Sequence, residues 1–352
     1  MDFPIFRNVK SVLRTGQLAT KIARAGEWWG YKVASVLATG YATVGLFNQP
    51  LWPLAPYLLL LTLALTIGAI YVSILNDWTD RADDQLAGKT NRLATKSTLF
   101  FGTILSLFLV GGLCLAAYFW QLSPLGSLLY LGSCAAYSLY SLPPVRLKIR
   151  GLAGVLADAL GAHLFPNLFV VSLIGYWSGQ SIPLFWWIAV GSWSLACGIR
   201  NILKHQLGDA AADKQAGVQT LVVRWGERRA HRLGIWVAFP IEVLALGGML
   251  LMLDQRIPIL FLLFYLGLER LRARFWQIHP VILDPNQRIL FDEYYSTFFP
   301  LALLLTQCLR YPGDTYVLVL HCLLFGWHAI GTVREASRLL ITALHRVSRQ
   351  FN

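Results

Sequence analysis

Ten apolar segments, near residues 31–48, 54–76, 98–120, 124–142, 152–175, 182–204, 233–253, 257–268, 293–310 and 314–332, alternate with short polar loops. A helix needs about 20 apolar residues to cross a bilayer, with about 17 as the lower limit. Most of the segments reach that length. The one at 257–268 is short and the last two boundaries are soft, so nine or ten spans are predicted. Composition points the same way: 56% of the residues are apolar and 14% charged, against about 25% charged in a soluble protein. The expected fold is all-α, a polytopic transmembrane helical bundle around a central cavity.

Loop charge sets the orientation independently. Arg81, Lys89, Arg92 and Lys96 follow the second segment, and Arg146, Lys148 and Arg150 follow the fourth. Lys214, Arg224, Arg228, Arg229 and Arg232 follow the sixth, whereas the loops around Pro50, Ser123 and Ser178 hold no basic residue. Basic loops stay on the cytoplasmic side. Arg7, Lys10, Arg14, Lys21 and Arg24 before the first segment belong to that side. So do Arg270, Arg272 and Arg274 after the eighth, and Arg334, Arg338 and Arg346 after the tenth. The chain therefore reads as a multi-pass integral membrane protein with both termini cytoplasmic. Its net charge of +12 is scattered over membrane loops rather than gathered on a soluble domain, which argues against nucleic-acid binding. Residues 1–26 mix Phe6, Val9, Leu13 and Ile22 with basic residues, as an interfacial amphipathic helix does, and contain no continuous apolar region of a cleavable signal. Residues 27–352 are expected to form a single transmembrane domain. The five cysteines all lie inside apolar segments, without disulfide or metal-ligand spacing.

Two acidic segments interrupt this pattern. NDWTDRADDQLAG ends at Gly88 and HQLGDAAADKQAG at Gly217, each where an apolar run meets a basic loop. Both contain D-x-x-x-D-x-x-A-G, with Asp80, Asp84 and Gly88 matching Asp209, Asp213 and Gly217 at a constant offset of 129 residues. The chain has only 18 acidic residues in 352, so the doubling is a strong signal. On a helix, Asp77, Asp80 and Asp84 fall within about 60° of one another, while Asp83 points elsewhere, towards solvent. His205, Asp209 and Asp213 stack at i, i+4 and i+8, with Gln206 on the neighbouring row. The two glycines are expected to end their helical turns. Carboxylates at a membrane surface need a cationic partner. Hard oxygen ligands in this number suit Mg²⁺, which binds through a few carboxylates together with substrate phosphates. The five aspartates Asp77, Asp80, Asp84, Asp209 and Asp213 are thus candidate metal ligands around one diphosphate, at the cytoplasmic face. Cation transport would place its carboxylates nearer the bilayer midplane.

These motifs resemble those of the UbiA-type membrane prenyltransferase superfamily. That family carries N-D-x-x-D-x-x-x-D after its second helix and D-x-x-x-D after its sixth. Here they stand as Asn76-Asp77-x-x-Asp80-x-x-x-Asp84 and Asp209-x-x-x-Asp213. The similarity continues through LAGKTNR (86–92), YSLPPVRLKIRG (140–151) and AGVQTLVVRWG (216–226), covering roughly residues 27–230. The last third is similar only as apolar spans. Leu93 follows Arg92 where many members have proline, and Asn201-Ile202 stands where ubiquinone-type members have Tyr-Asp. His205-Gln206 replaces the two asparagines frequent in menaquinone-type relatives. The resemblance implies a Mg²⁺-dependent transfer of a prenyl group from a prenyl diphosphate to a lipophilic acceptor of the aromatic or quinone-precursor class, inside the bilayer. The family's acceptors also include chlorophyllides, haem and lipid alcohols, and the sequence does not choose among them. A terpene cyclase on the same scaffold, which needs no acceptor, shares every motif residue.

A departing diphosphate needs fixed cations on the same face. Lys89, Arg92, Arg146 and Lys148 are the expected clamps, with Asn76, Gln206 and Lys204 beside the motifs. Arg150 is a weaker candidate, and Arg200 either approaches the diphosphate or snorkels to the interface. His205 occupies the place of Asn76 in the internal repeat and is expected to face the cavity as a general base. Asp158 and His163, inside the fifth apolar segment, either orient an acceptor or form a structural pair. Trp78, Tyr71, Tyr137 and Tyr140 are the rings best placed to stabilise an allylic cation. The patch Asp292-Glu293-Tyr294-Tyr295 is expected to be an interfacial cap.

Overall fold

The computed structural model describes residue 20 and residues 23–351. Ten long helices form among them: α1 (Ala34–Leu46), α2 (Ala55–Thr79), α3 (Thr98–Leu122), α4 (Pro124–Ser141), α5 (Leu152–Trp177), α6 (Leu184–Gln215), α7 (Glu227–Leu253), α8 (Arg256–Trp276), α9 (Phe299–Arg310) and α10 (Thr315–Phe351). Each falls on one of the apolar segments, and α8 extends well beyond the short stretch at 257–268. Apart from an isolated bridge between Val281 and Ile289, no β-structure occurs among the described residues. Five helical stretches are long and apolar enough to cross a membrane: Trp52–Thr79, Thr98–Leu122, Leu152–Trp177, Glu227–Leu253 and Pro312–Thr342. Most of the expected amphipathic segment at 1–26 lies outside the described residues.

Burial sorts the helices into centre and rim. Eleven of the thirteen residues of α1 are buried, because it packs against α5, α9, α2 and α7 at once. In α3 only Phe101, Gly112, Ala116 and Phe119 are buried among 25 residues. Leu107, Leu113, Tyr118 and Trp120 there are exposed, as the rim of a bundle in lipid requires. Polar pairs fix the rotation of α1: Thr39 Oγ1 donates to Asn167 Oδ1 at 2.7 Å, and Trp186 Nε1 donates to Thr43 Oγ1 at 3.0 Å. Such bonds contribute only about 0.6 kcal/mol each in a membrane bundle, so they select a register more than they hold the bundle together. Ser97 and Ser123 cap α3 and α4 by accepting from the backbone N–H groups of Phe100 and Gly126, the usual role of serine at a helix start.

Two local devices shape the interior. Four π turns, Trp29–Val33, Leu160–Leu164, Gly234–Ala238 and Tyr294–Phe298, interrupt or precede α1, α5, α7 and α9. A π turn inserts a residue into the helical repeat and re-aims the side chains beside it. The second device is the pair of caps after the aspartate motifs. Gly88 and Gly217 have φ of 66° and 73°, a region that favours glycine. Around them Lys89 N donates to Asp84 O, and Val218 N to Asp213 O, both at 2.8 Å. Gly88 N donates to Gln85 O and Gly217 N to Lys214 O, both at 3.3 Å. This is the Schellman pattern, and its bonds repeat at the same 129-residue offset as the motifs. The two caps touch, since Gln215 Nε2 donates to Leu86 O at 3.3 Å.

Candidate functional site

The ends of α2 and α6 face each other across a cavity of about 350 Å³. Asp77, Asp80, Asp83 and Asp84 line one side and Asp209 and Asp213 the other. Lys89 bridges the two motifs: its Nζ lies 2.9 Å from Asp209 Oδ1. Lys148, on a short 3-10 turn after α4, pairs with Asp80 and lies 3.3 Å from Asp83 Oδ2. Arg146 Nη2 lies 2.6 Å from Asp83 Oδ2 and 3.6 Å from Asp80 Oδ1. Its backbone adopts a left-handed conformation that follows Pro143-Pro144. Asp83 was expected in solvent and is instead part of the cavity wall. The helix is distorted at Asp80, where φ is −97° and ψ is 0°, and Arg146 and Lys148 reach down to the next turn.

Asp77 is buried, accepts from Arg24 at 3.3 Å through Oδ1, and leaves Oδ2 buried without a partner. Asn91 Nδ2 donates both to Asp84 Oδ2 at 2.8 Å and to Asp77 O at 2.7 Å. Arg92 lines the cavity and pairs with Glu27 at 2.6 Å. Burial pushes the Asp213 carboxyl up to about 6, against the opposing charge of Lys89. Among the described residues no three histidine, cysteine or acidic side chains converge as a closed metal site. The cavity therefore offers hard oxygen donors from two sides and leaves the rest of any coordination shell to other ligands.

Two further cavities open from the same place. One of about 660 Å³ runs between α1, α2, α4 and α5 and is mostly apolar. The other, of about 340 Å³, is lined by Lys32, His163, Asn167, Arg200, Asn201, Lys204 and Asp292 among others. His205 lines all three cavities. The π turns matter here, because Lys32, His163 and Tyr295 each sit on one. The Lys32 ammonium has no ion-pair or hydrogen-bond partner among the described residues.

Several expected site residues are placed elsewhere. Lys204 faces the 340 Å³ cavity and not the motif aspartates, lying 3.9 Å from Asp292. Arg200 neither reaches the aspartates nor snorkels. It is buried against Glu242, with bonds of 2.7 and 2.8 Å. Asn76 lines the apolar cavity and its Oδ1 accepts from Ser141 Oγ, so it ties α2 to α4. Gln206 lines the aspartate cavity, and its Oε1 accepts from Val222 N at 3.3 Å. Asp158 lines the 660 Å³ cavity, whereas His163 lines the 340 Å³ one and meets Asn201 Nδ2 through its Nε2 at 3.3 Å, so the two do not form a pair. Trp78 stacks on Phe101, and the Tyr71 hydroxyl bonds Ser138. Only Tyr137 and Tyr140 of the four candidate rings line the apolar cavity, and Tyr140 also lines the aspartate cavity. Arg150 is exposed and bonds Pro144 O. The patch at 292–295 is no surface cap: Tyr294 and Tyr295 are buried, and Glu293 joins Arg272 and Arg288 in an ionic cluster.

The UbiA prenyltransferase family matches residues 36–283 of the chain. The chain belongs to the UbiA prenyltransferase family. The UbiA match ends beyond the limit near residue 230 set by the motifs alone, and it takes in α7, α8 and the loop after α8. A UbiA homolog from Archaeoglobus fulgidus bound to GPP and Mg²⁺ superposes with a TM-score of 0.55 at 17% identity, covering 85% of this chain and 99% of that one. The same homolog bound to DMAPP and Mg²⁺ gives 0.54 at 17% identity, over 82% and 98%. At that identity the likeness establishes a shared UbiA fold. No curated protein matches the chain. As a UbiA prenyltransferase with apolar helices of spanning length, it is an integral membrane enzyme.

Proposed function

We propose that the chain is a Mg²⁺-dependent intramembrane prenyltransferase that takes a prenyl diphosphate donor and alkylates a lipophilic acceptor of the aromatic or quinone-precursor class. The observation that carries this reading is the meeting of two opposed aspartate clusters with an apolar chamber at one point. The diphosphate would sit among Asp77, Asp80, Asp84, Asp209 and Asp213, and the prenyl tail in the 660 Å³ chamber. The donor set fits Mg²⁺: all oxygen, incomplete without phosphate and water, and including a buried carboxylate oxygen of Asp77 with no partner. When bound, Mg²⁺ would neutralise charge on the leaving diphosphate.

The remaining roles fall to this chain's own groups. Arg92, Arg146 and Lys148 already stand beside the aspartates and supply fixed positive charge to departing phosphate oxygens, and Lys89, paired with Asp209, tethers the bound diphosphate. The Tyr140 ring, shared by the diphosphate cavity and the tail chamber, is placed to face the allylic carbon where they join. His205, at the junction of all three cavities, is placed to take the acceptor's proton. The 340 Å³ cavity around Lys32, Asn201 and His163 is the acceptor's approach. Loop charge supports a cytoplasmic location for the aspartate cavity and both termini.

Purified protein incubated with Mg²⁺, labelled prenyl diphosphates and native lipid extract should release diphosphate and form a prenylated lipid visible by mass spectrometry. Diphosphate plus a hydrocarbon, formed equally without extract, would favour the cyclase. No diphosphate release under any condition would refute the assignment.

A further inference from the structure

Resting on the proposed donor site, we infer that an aromatic floor formed by Tyr130 and Phe169 limits the donor to about four isoprene units. The tail chamber begins beside Asn76 and Tyr140 at the aspartate cavity. Its deepest lining residues are Ala64 on α2, Tyr130 on α4 and Phe169 on α5. Both rings are buried, and their centroids lie 5.3 Å apart. Phe119 of α3 backs them, 6.0 Å from Tyr130 and 5.1 Å from Phe169. The Tyr130 hydroxyl donates to Ala64 O at 3.2 Å, which ties the floor to α2. A ring anchored by a hydrogen bond and packed on two other rings does not swing aside without losing those contacts.

Helix geometry gives the depth. From Asn76 to Ala64 is twelve positions along α2, about 18 Å at about 1.5 Å per residue. Tyr140 to Tyr130 on α4 and Asp158 to Phe169 on α5 give about 15–17 Å on the same rise. An extended chain advances about 3.5 Å over three backbone bonds, so a four-bond isoprene repeat advances about 4.5 Å. The chamber therefore holds about four repeats before the tail meets the floor. Gly68 lies between mouth and floor. A Cβ added there would meet only Tyr130 Cε2, at 3.9 Å, so a larger side chain at this position would enter open chamber space. It stands eight positions below Asn76, about 12 Å down, which leaves room for two repeats and part of a third.

The test is donor competition on the full-length protein in detergent or liposomes, with prenyl diphosphates of two to ten isoprene units and diphosphate release and product mass as readouts. The unaltered protein should turn over donors of up to four units, and donors of six or more at least about tenfold more slowly, the scale of discrimination a packed apolar pocket achieves. Gly68→Val should keep the two-unit donor and lose the four-unit donor. Phe169→Leu and Tyr130→Ala should move the limit the other way. Retained two-unit turnover in Gly68→Val reports a folded protein, so this variant decides the matter even if Tyr130→Ala fails to fold. Equal turnover of all lengths, or a Gly68→Val profile identical to that of the unaltered protein, would overturn the floor and leave the prenyltransferase reading intact. No turnover at any length in the unaltered protein would instead remove the donor site itself.

Discussion

At the end of α2, four aspartates meet Arg24, Asn91, Arg146 and Lys148, while at the end of α6 two aspartates share a single lysine, Lys89. The two motifs have the same spelling, spacing and cap, yet their electrostatics differ. The first has three cations for four carboxylates and the second one for two, and burial raises the Asp213 carboxyl. The first motif is thus a mixed-charge wall at a distorted helix end. The second is a carboxylate pair with one lysine on an unbroken helix. One repeated sequence pattern forms two halves that differ in their charge partners.

If the halves are unequal in this way, carboxylates held by one cation, Asp209 by Lys89 and Asp77 by Arg24, should matter more than Asp83, which is held by two. Asp209→Asn and Asp77→Asn should each lower turnover by about 10²–10³-fold, the scale of one lost electrostatic contact to a reacting charge, while the proteins remain folded and inserted. Asp83→Asn, whose carboxylate is held by Arg146 and Lys148, should lose far less. Chelation should abolish activity in all of them, with Mg²⁺ restoring it and Ca²⁺ doing so poorly because of its longer, looser coordination. Equal losses at Asp83 and Asp209, measured as kcat in matched liposomes, would dissolve the distinction between the halves.

His205 sharpens the comparison from the other side. It stands where Asn76 stands in the first motif, yet Asn76 is tied to Ser141 and His205 faces all three cavities. His205→Asn copies the first half into the second and should leave donor binding intact. Turnover should fall by about 10²-fold, the usual contribution of a general base. Turnover of this variant equal to that of the unaltered protein at every pH from 6 to 8 would assign His205 to scaffolding.

The helices were legible because lipid imposes a length on each span, and the motifs because carboxylates are scarce in such a chain. The side of the cavity each group serves was less legible. Lys204 and Arg200 follow the helical register of the second motif, but their partners Asp292 and Glu242 come from a loop and a helix 42 to 92 residues away, and no local pattern reveals such pairs. Asp83 was misplaced because ideal helical angles ignore the distortion at Asp80 and the length of Arg146 and Lys148. The π turns hid Lys32, and of the two roles left open for Asp158 and His163 the structural pair does not form, because His163 meets Asn201 from the neighbouring helix instead. Asn91 was missed although it follows Gly88 closely, because an asparagine in a turn ordinarily bonds its own backbone.

Lys89 is the one direct side-chain ion pair between the two halves among the described residues. Lys89→Ala should cost about 30-fold in kcat/KM, less than a fully desolvated contact of about 10² or more, because both partners are partly exposed. The loss should appear mainly in KM for the donor, as expected when a group holds ground state and transition state alike. Lys89→Arg should recover most of it. A pure kcat effect would move Lys89 from a tether to a transition-state contact.

The smallest expected effect is the pH dependence of the second half. Burial holds the Asp213 carboxyl up to about 6, above its value of about 3.9 in an unfolded chain. In the metal-free protein the folded state therefore keeps a proton that the unfolded chain has lost. That contribution to stability is complete below about pH 4 and disappears as the pH rises through 6. Metal binding carries the opposite sign, because a cation needs the carboxylate, so Mg²⁺ affinity should rise with pH through 6 and level off above 7. Competition with one proton predicts about a tenfold loss of affinity between pH 7 and pH 5. The Asp213→Asn variant should bind more weakly but with a flatter pH profile, and its metal-free form should lack the matching pH dependence of stability. Calorimetric Mg²⁺ titrations and thermal melts of both proteins over pH 5–7.5 measure the two slopes. Parallel profiles in the two proteins would show that Asp213 titrates like an ordinary exposed carboxylate and that the second half is no less neutralised than the first.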